Sequence, residues 1–230
     1  MNYQDYKYIF PPRPENATKI SDCEFYQSNG YFAQPKLNGS CCLLFTNGQT
    51  FIVKNRHKQS FSNFKISVEI ETLVKRIYEK NKDLGWIVLV GEYLNKSQKD
   101  ENGKIFNQKL VFFDLIVYNS KHLLGESFQS RYNLLLNLFT SKDETDKYYF
   151  GKLDLKDYNK WLYTIDETFY VVKTFVKEDF KELYEEMVKH ELYEGLVLKR
   201  MVAPLENGIT EKNNTKSQIK IRKETKNYKF

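Results

Sequence analysis

The chain holds only three cysteines and three histidines, and it has no apolar run of eighteen or more residues. Each shortage removes a class of protein. Without such a run no membrane-spanning helix is expected, and residues 1–10 are polar and aromatic with no signal-like apolar centre, so a location inside a cell (cytoplasmic) is expected. Cys41 and Cys42 are adjacent in an apolar stretch and Cys23 stands alone. That spacing suits neither a disulfide framework nor a zinc site, and reads as three reduced, small core residues. His57, His122 and His190 are scattered without metal-ligand spacing, and no Ser-His-Asp or Cys-His set is suggested. A Walker loop, a dinucleotide fingerprint, an internal repeat and a low-complexity segment are all missing as well.

What is there suits a globular fold. At 230 residues and 41% hydrophobic content the chain can bury a substantial core. The net charge of +6 is a moderate excess of the sign that suits a polyanionic partner. It is unevenly placed: Lys212, Lys216, Lys220, Arg222, Lys223, Lys226 and Lys229 face only Glu224, whereas residues 143–194 are rich in acids. A solvated tail and a phosphate-contacting strand explain that asymmetry equally well.

Taken in order, residues 8–15 (YIFPPRPE) are stiffened by proline and are expected to run extended over the surface. Strands are expected at 31–37, 41–46 and 50–55, the last two joined at Asn47-Gly48, a pair that favours a tight hairpin. Ile70, Leu73, Val74 and Ile77 recur at helical spacing and predict an amphipathic helix over 68–80. Residues 86–94 (WIVLVGEYL) read as a buried strand with Glu92 at its end, so Glu92 is either paired inside the protein or faces a cleft. Residues 110–118 (LVFFDLIVY) repeat the theme with Asp114, read as a structural anchor that accepts hydrogen bonds. A helix is expected over 127–139, with Tyr132, Leu135, Leu136 and Phe139 inward. Residues 143–160 read as irregular. Then follow a strand at 169–176, a helix over 178–190 with Phe180, Leu183, Tyr184 and Val188 inward, and a strand at 195–199. In the final strand, 218–223 (QIKIRK), Lys220 and Arg222 share one face while Ile219 and Ile221 face the core.

The segment YFAQPKLNGS places Lys36 at the end of the first of these strands, after Pro35 and before Asn38-Gly39, where glycine permits close backbone approach. By itself it reads as a solvated lysine at a turn. It is, however, the first of an ordered series of strand-end polar residues: Lys36, Arg56, Glu92, Phe112-Phe113 ahead of Asp114, Glu194-Gly195, and Lys220 with Arg222.

That series resembles the covalent nucleotidyltransferase superfamily: ATP-dependent DNA ligases, RNA ligases and mRNA capping enzymes. KLNG at 36–39 matches the nucleophile motif KxDG, and NRHKQSF around Arg56 matches the next, Arg-containing segment. GEYL, VFFDLIVY, EGLVLK and QIKIRK match the third, the aromatic, the fourth and the fifth motifs. The resemblance implies an α+β fold of mostly antiparallel sheets flanked by helices, a ligase-type, ATP-grasp-like domain with the nucleotide between the sheets. It implies that Lys36 attacks the α-phosphorus of ATP to form a lysyl-nucleotide. A lysine with pKa about 10.4 needs surroundings that favour its neutral amine. The implied helpers are Lys220 and Arg222 on the phosphates, Glu194 on Mg2+ or Mn2+, Glu92 on the ribose, Arg56 on sugar or phosphate, and Phe113 stacked on the base.

Three positions depart from the pattern. Asn38 replaces the Asp of KxDG, Arg222 replaces the fifth motif's second lysine, and Cys41 stands where DNA ligases and capping enzymes commonly carry Arg. KLNGS is more like several RNA ligases, whereas FDLIVYN and the helix beginning near Arg131 are more like DNA ligases. The chain ends a few residues after Lys223. One nucleotidyltransferase domain over 1–230 is therefore expected, with no OB domain: a minimal single-domain enzyme, a chain cut to that domain, and one that takes end recognition from a separate protein or domain are all open. The resulting expectation is an ATP-dependent polynucleotide ligase, RNA before DNA, sealing 5′-phosphate to 3′-hydroxyl ends. A capping-type guanylyltransferase is the other enzymatic reading, and a non-catalytic nucleic-acid-binding module is the competing class.

Overall fold

The computed structural model describes residues 10–140, 155–206, 208 and 214–223. The basic positions Lys212, Lys226 and Lys229 and most of the stretch read as irregular, 143–154, lie outside the described residues. In chain order the elements are β1 (Arg13–Ala17), α1 (Cys23–Ser28), β2 (Tyr31–Leu37), β3 (Ser40–Thr46), β4 (Phe51–Asn55), α2 (Ser67–Lys80), β5 (Ile87–Leu94), β6 (Gln98–Lys99) and β7 (Ile105–Phe106). There follow β8 (Lys109–Tyr118), β9 (Lys121–His122), α3 (Phe128–Phe139), β10 (Lys156–Asp157), β11 (Leu162–Thr164), β12 (Phe169–Val172), α4 (Phe180–Met187), β13 (Tyr193–Arg200) and β14 (Asn214–Arg222).

They assemble into a four-stranded sheet, ordered β1-β14-β13-β2, and a larger one, ordered β10-β11-β12-β8-β5-β3-β4, with β9 added on β8. Pairing is antiparallel except between β1 and β14 and between β8 and β12. The architecture is the expected α+β arrangement of mostly antiparallel sheets with helices against them. The β3–β4 hairpin turns at Asn47, whose Oδ1 accepts from the amides of Gln49 (3.1 Å) and Thr50 (3.0 Å), and Gly48 supplies the φ of +88° that the turn needs.

Helix positions follow from capping and spacing. Ile70, Leu73, Val74 and Ile77 of α2 are all buried, as their period predicts. Ser127 caps α3 by accepting from the Ser130 amide, and Asp179 caps α4 by accepting from the amides of Lys181 and Glu182. On α3 the buried face also takes in Phe128, Leu138 and Arg131, while Leu136 is only partly covered. On α4 Met187 takes the inward place expected for Val188, because the helix stops at Met187.

Three further expectations are corrected. The described part of the 8–15 segment is extended, as expected, but it does more than cross the surface: Arg13–Ala17 is a strand paired parallel to β14. The strand at 169–176 ends at Val172, with only an isolated bridge from Phe175 to Ala33 beyond it. The last strand begins well before Gln218, at Asn214.

Packing decides which face of each sheet is left for a site. One core cluster gathers α2 and α3 with residues such as Leu44, Leu89 and Phe112; a second joins α4 to Leu196, Leu198, Ile219 and Ile221 of the small sheet. A third contains Leu43, Phe45, Val88 and Val90. With side chains alternating at period two, Cys41 continues the row of Leu43 and Phe45, and Glu92 that of Val88 and Val90. These two are thus the end of an otherwise apolar face, where the core gives way to a cleft.

Candidate active site

The cleft is a cavity of about 950 Å³ between the sheets, and Lys36, Arg56, Glu92, Phe113, Lys220 and Arg222 all line it. Six positions scattered from 36 to 222 in sequence therefore share one chamber.

The small sheet supplies one wall as three rungs. Lys36 lies opposite Gly195, which lies opposite Arg222; Gln34 lies opposite Val197, which lies opposite Lys220; Lys199 lies opposite Gln218. The register slips between Tyr193 and Gly195, so Glu194 is an extra residue in β13. Such a bulge re-aims a side chain. Here it turns Glu194 to Lys36: the Lys36 Nζ forms an ion pair with Glu194 Oε2, and Arg222 Nη2 reaches the same oxygen at 3.2 Å. Gly195 makes this possible. Its φ is +144°, and a Cβ there would lie 2.0 Å from the Ile221 carbonyl oxygen, so no other residue fits without moving β14.

The large sheet supplies the opposite wall. Cys41 is opposite Glu92, and Arg56 follows β4, whose last residue Asn55 accepts at Oδ1 from the amides of His57 (2.8 Å) and Gln59 (3.0 Å). That turn is what presents Arg56 to the cavity. Burial pushes the Glu92 carboxyl up to about 7; the Glu194 charge pushes the same way, while Lys36, Arg56 and the Gly39 amide oppose it. Glu92 lines the cleft, one of the two placements open to it. Gly39 packs so closely that an added Cβ would stand 2.7 Å from the Tyr93 carbonyl oxygen and 2.8 Å from Glu92 Cγ. Burial also raises the Cys41 thiol to about 12, which keeps it neutral and inert, as expected for a structural cysteine.

Asp114 is the anchor its sequence setting suggests. Its carboxylate takes a bidentate pair from Arg131 Nε and Nη2, both at 3.0 Å, and a further bond from the Leu115 amide at 2.8 Å. The pair fixes α3 to β8 directly beside Phe113, so Phe112 points into the core against Phe139 and Phe169 while Phe113 reaches the cavity.

Four features were missed by sequence reasoning. Lys199 is 3% exposed, with Nζ 4.9 Å from the Phe113 ring centroid and 4.3 Å from that of Phe128. Burial, with Arg131 adding to it and Asp114 opposing, lowers its pKa to about 7. Gln34 also lines the cavity, and alternation could have found it, since it lies two residues before Lys36 on the same strand face. Pro11 to Glu15 form a further part of the wall, which the proline-rich sequence does not announce. Gln98 donates to the Asn38 carbonyl at 2.6 Å, and the Asn38 amide donates to that of Leu192 at 3.2 Å, so backbone bonds hold the turn after Lys36.

Among the described residues no group of three or more His, Cys, Asp or Glu could hold a metal ion. Glu194 alone is nonetheless a fitting donor for Mg2+, which is commonly held by one or two carboxylates together with substrate phosphates. No helix of the described residues is long and apolar enough to cross a membrane.

No known family and no curated protein matches the chain by sequence. Solved structures do match in shape. A mycobacterial DNA ligase D complexed with ATP and MES superposes with a TM-score of 0.59 at 15% identity, covering 96% of this chain and 62% of its own. The ligase domain of LigD from M. tuberculosis gives 0.58 at 16%, covering 95% and 61%. The ATP-dependent DNA ligase of bacteriophage T7, in complex with ATP, gives 0.54 at 12%, covering 93% and 68%. The chain therefore shares the fold of these ATP-dependent ligase structures. It spans less than two thirds of the length of the first two of these structures.

Proposed function

We propose that this chain is the adenylation domain of an ATP-dependent polynucleotide ligase, with Lys36 as its nucleophile. One observation carries the reading: the bulge at Glu194 brings Lys36, Glu194 and Arg222 together at one end of a cavity whose other wall offers Arg56, Glu92 and Phe113. Lys36 Nζ attacks the α-phosphorus of ATP, the bond to the bridging oxygen breaks, and pyrophosphate leaves with the electron pair. The AMP passes to a 5′-phosphate end, and a 3′-hydroxyl then displaces it to seal the strand.

The residues divide this work. In the resting arrangement Lys36 is an ion-pair partner of Glu194, so attack requires the amine to give up its proton and turn from that carboxylate to the phosphate. Lys220 and Arg222, on one face of β14, take the phosphate charge. Arg56 and Glu92 face each other across Cys41 and hold the sugar. Phe113 stacks on the base, its ring backed by Lys199. Glu194 would hold a divalent ion, Mg2+ or Mn2+, which screens the triphosphate when bound.

RNA ends are the preferred substrate, on the resemblance of KLNGS with Asn38 and Cys41 to RNA ligases. The second reading is a DNA ligase, favoured by FDLIVYN with its Asp114–Arg131 pair and by the ATP complexes of DNA ligases that share the fold. The protein incubated with magnesium and α-labelled ATP is expected to retain label after denaturation, and Lys36→Ala and Glu194→Ala to retain none. Label surviving Lys36→Ala would overturn the nucleophile, and absence of label in folded wild type would favour a non-catalytic binding module. Nicked RNA, nicked DNA and single-stranded 5′-phosphorylated RNA then rank the substrates.

A further inference from the structure

Three segments meet beside the Lys36–Glu194 pair and close a triangle of hydrogen bonds. The Asn38 amide donates to the Leu192 carbonyl at 3.2 Å, the Leu192 amide donates to the Lys99 carbonyl at 3.2 Å, and Gln98 Nε2 returns to the Asn38 carbonyl at 2.6 Å. Asn38 lies two residues after Lys36, and Leu192 two residues before Glu194. The third corner is the β6–β7 hairpin, which contributes no residue to the cavity. It is nevertheless firmly seated. Phe106 is buried against Tyr158 and Tyr170, and Asp100 accepts from the amides of Asn102 (3.0 Å) and Lys104 (2.7 Å) and from the Tyr158 hydroxyl (2.7 Å). Two sides of the triangle join main chain to main chain. The third is a side chain, and it alone can be removed by substitution. Gln98 is 7% exposed, and its Oε1 is buried without a hydrogen-bond partner. The bond made at one end of the amide is offset by the unsatisfied oxygen at the other, so stability gives little reason for a glutamine rather than an apolar residue here.

We propose that Gln98 is a positioning residue for the attack of Lys36: by tying the Asn38 turn to the β6–β7 hairpin, it fixes where the Lys36 amine stands relative to Glu194 and the α-phosphorus. The inference rests on the nucleotidyltransferase reading above. The corner that precedes Glu194 is held independently of Gln98. Lys223 donates from its amide to the Glu194 carbonyl and from its Nζ to the His190 carbonyl, both at 2.8 Å, and the Lys99 amide donates to Glu191 Oε2 at 3.1 Å. The turn after Lys36 has fewer ties, and Gln98 makes the shorter of the two bonds that hold Asn38. Without it Lys36 shifts while Glu194 and Arg222 stay. A misplacement of about 1 Å at a reacting atom costs on the order of a hundredfold in rate. Arg56, Glu92 and Phe113 lie on the other wall of the cavity, so the nucleotide is still held.

The test follows labelling of the protein from α-labelled ATP against ATP concentration for wild type, Gln98→Met and Gln98→Glu, with ADP binding by calorimetry and thermal melting to confirm folding. Methionine keeps the length of the side chain and removes the donor; glutamate keeps its shape, and its ionised carboxylate only accepts. Both variants are expected to label about ten- to a hundredfold more slowly at saturating ATP, while the half-saturating ATP concentration and the ADP affinity stay within about threefold of wild type. The Gln98→Glu defect, taken as a ratio to wild type at each pH, is expected to shrink on acidification, because the protonated carboxyl regains an O–H donor for the Asn38 carbonyl; the Gln98→Met ratio stays constant. A folded Gln98→Met protein that labels at the wild-type rate overturns the inference alone, as does a loss of ADP affinity that matches the loss of rate. Where Gln98→Met does not fold, the Gln98→Glu profile decides, and a ratio that does not rise on acidification overturns it. No label in folded wild type overturns the nucleotidyltransferase reading and the inference with it.

Discussion

Replacing Lys199 with methionine should make the protein more stable at neutral pH and should flatten part of its pH dependence. Asp114 and Arg131 already neutralise one another, so Lys199 is a third charge beside them with no counter-ion of its own. Its pKa in the fold is about 7 against an ordinary 10.5. Between those values the unfolded chain holds the proton more firmly than the folded one, so stability rises with pH; the penalty is complete below about 7 and gone above about 10.5. Each pH unit inside that window corresponds to about 1.4 kcal/mol, so the wild type should gain about 2–3 kcal/mol on its Lys199→Met variant between about pH 7 and pH 9. Methionine retains the apolar stem against Phe113 and Phe128 and removes only the ammonium. Cys23 and Cys41, raised by burial to about 12, act in the opposite sense above their ordinary value of 9.0, but they cancel when the two proteins are compared at each pH. Urea unfolding at three pH values across this window measures the difference. A gap between the proteins that stays constant with pH would refute the placement of an uncompensated amine beside the Asp114–Arg131 pair.

Glu92→Gln should act with the opposite slope: the wild-type carboxyl, raised from 4.5 to about 7, makes the fold lose stability as pH rises through that window, so the variant should gain about 1–3 kcal/mol on wild type between pH 5 and pH 8, read by the same urea titrations. Phe113→Ala should weaken ADP binding by about 1–3 kcal/mol in calorimetry, and unchanged affinity would remove it from the base site. Gly195→Ala should cost about 1–3 kcal/mol or more in unfolding experiments and also abolish labelling of Lys36, because relief of the clash with the Ile221 carbonyl shifts β14 and with it Arg222.

Much of the fold was legible because its elements carry one period each. The strands β2, β3 and β4, α2 and the alternation of Ile219 and Ile221 with Lys220 and Arg222 are read directly from apolar spacing, but the three strands form no meander: β2 pairs with β13 in the small sheet, while β3 and β4 pair in the large one. β1 was not, since three prolines in residues 11–14 read as a non-pairing segment; a parallel place on the sheet edge demands little of their missing donors. Arg131 was read only as standing near a helix start, and its burial, 2% exposed, was not foreseen, because a charge is expected inside only when its partner is known, and Asp114 lies on another element. The candidate site was legible in its charged members, which stand at strand ends. Gln34 and Lys199 lie within strands, where composition alone cannot tell a cavity-facing side chain from a core-facing one.

The bulge at Glu194 explains why a lysine that looks solvated in its own ten residues becomes a candidate nucleophile. In a regular antiparallel ladder Glu194 would follow the alternation of β13 and turn away from the face that bears Val197 and Lys199. The extra residue breaks that parity and brings its carboxylate to Lys36 and Arg222, which arrive from the two neighbouring strands and line the cavity. Glycine at 195 is what the bulge requires, and the Glu-Gly pair is thus a single device. Two cations from the neighbouring strands then share one carboxylate oxygen of the middle strand, a balance that an arriving triphosphate, on the proposed function, would disturb by drawing both cations to itself. The same competition that quiets Lys36 in the free protein is what nucleotide binding would release.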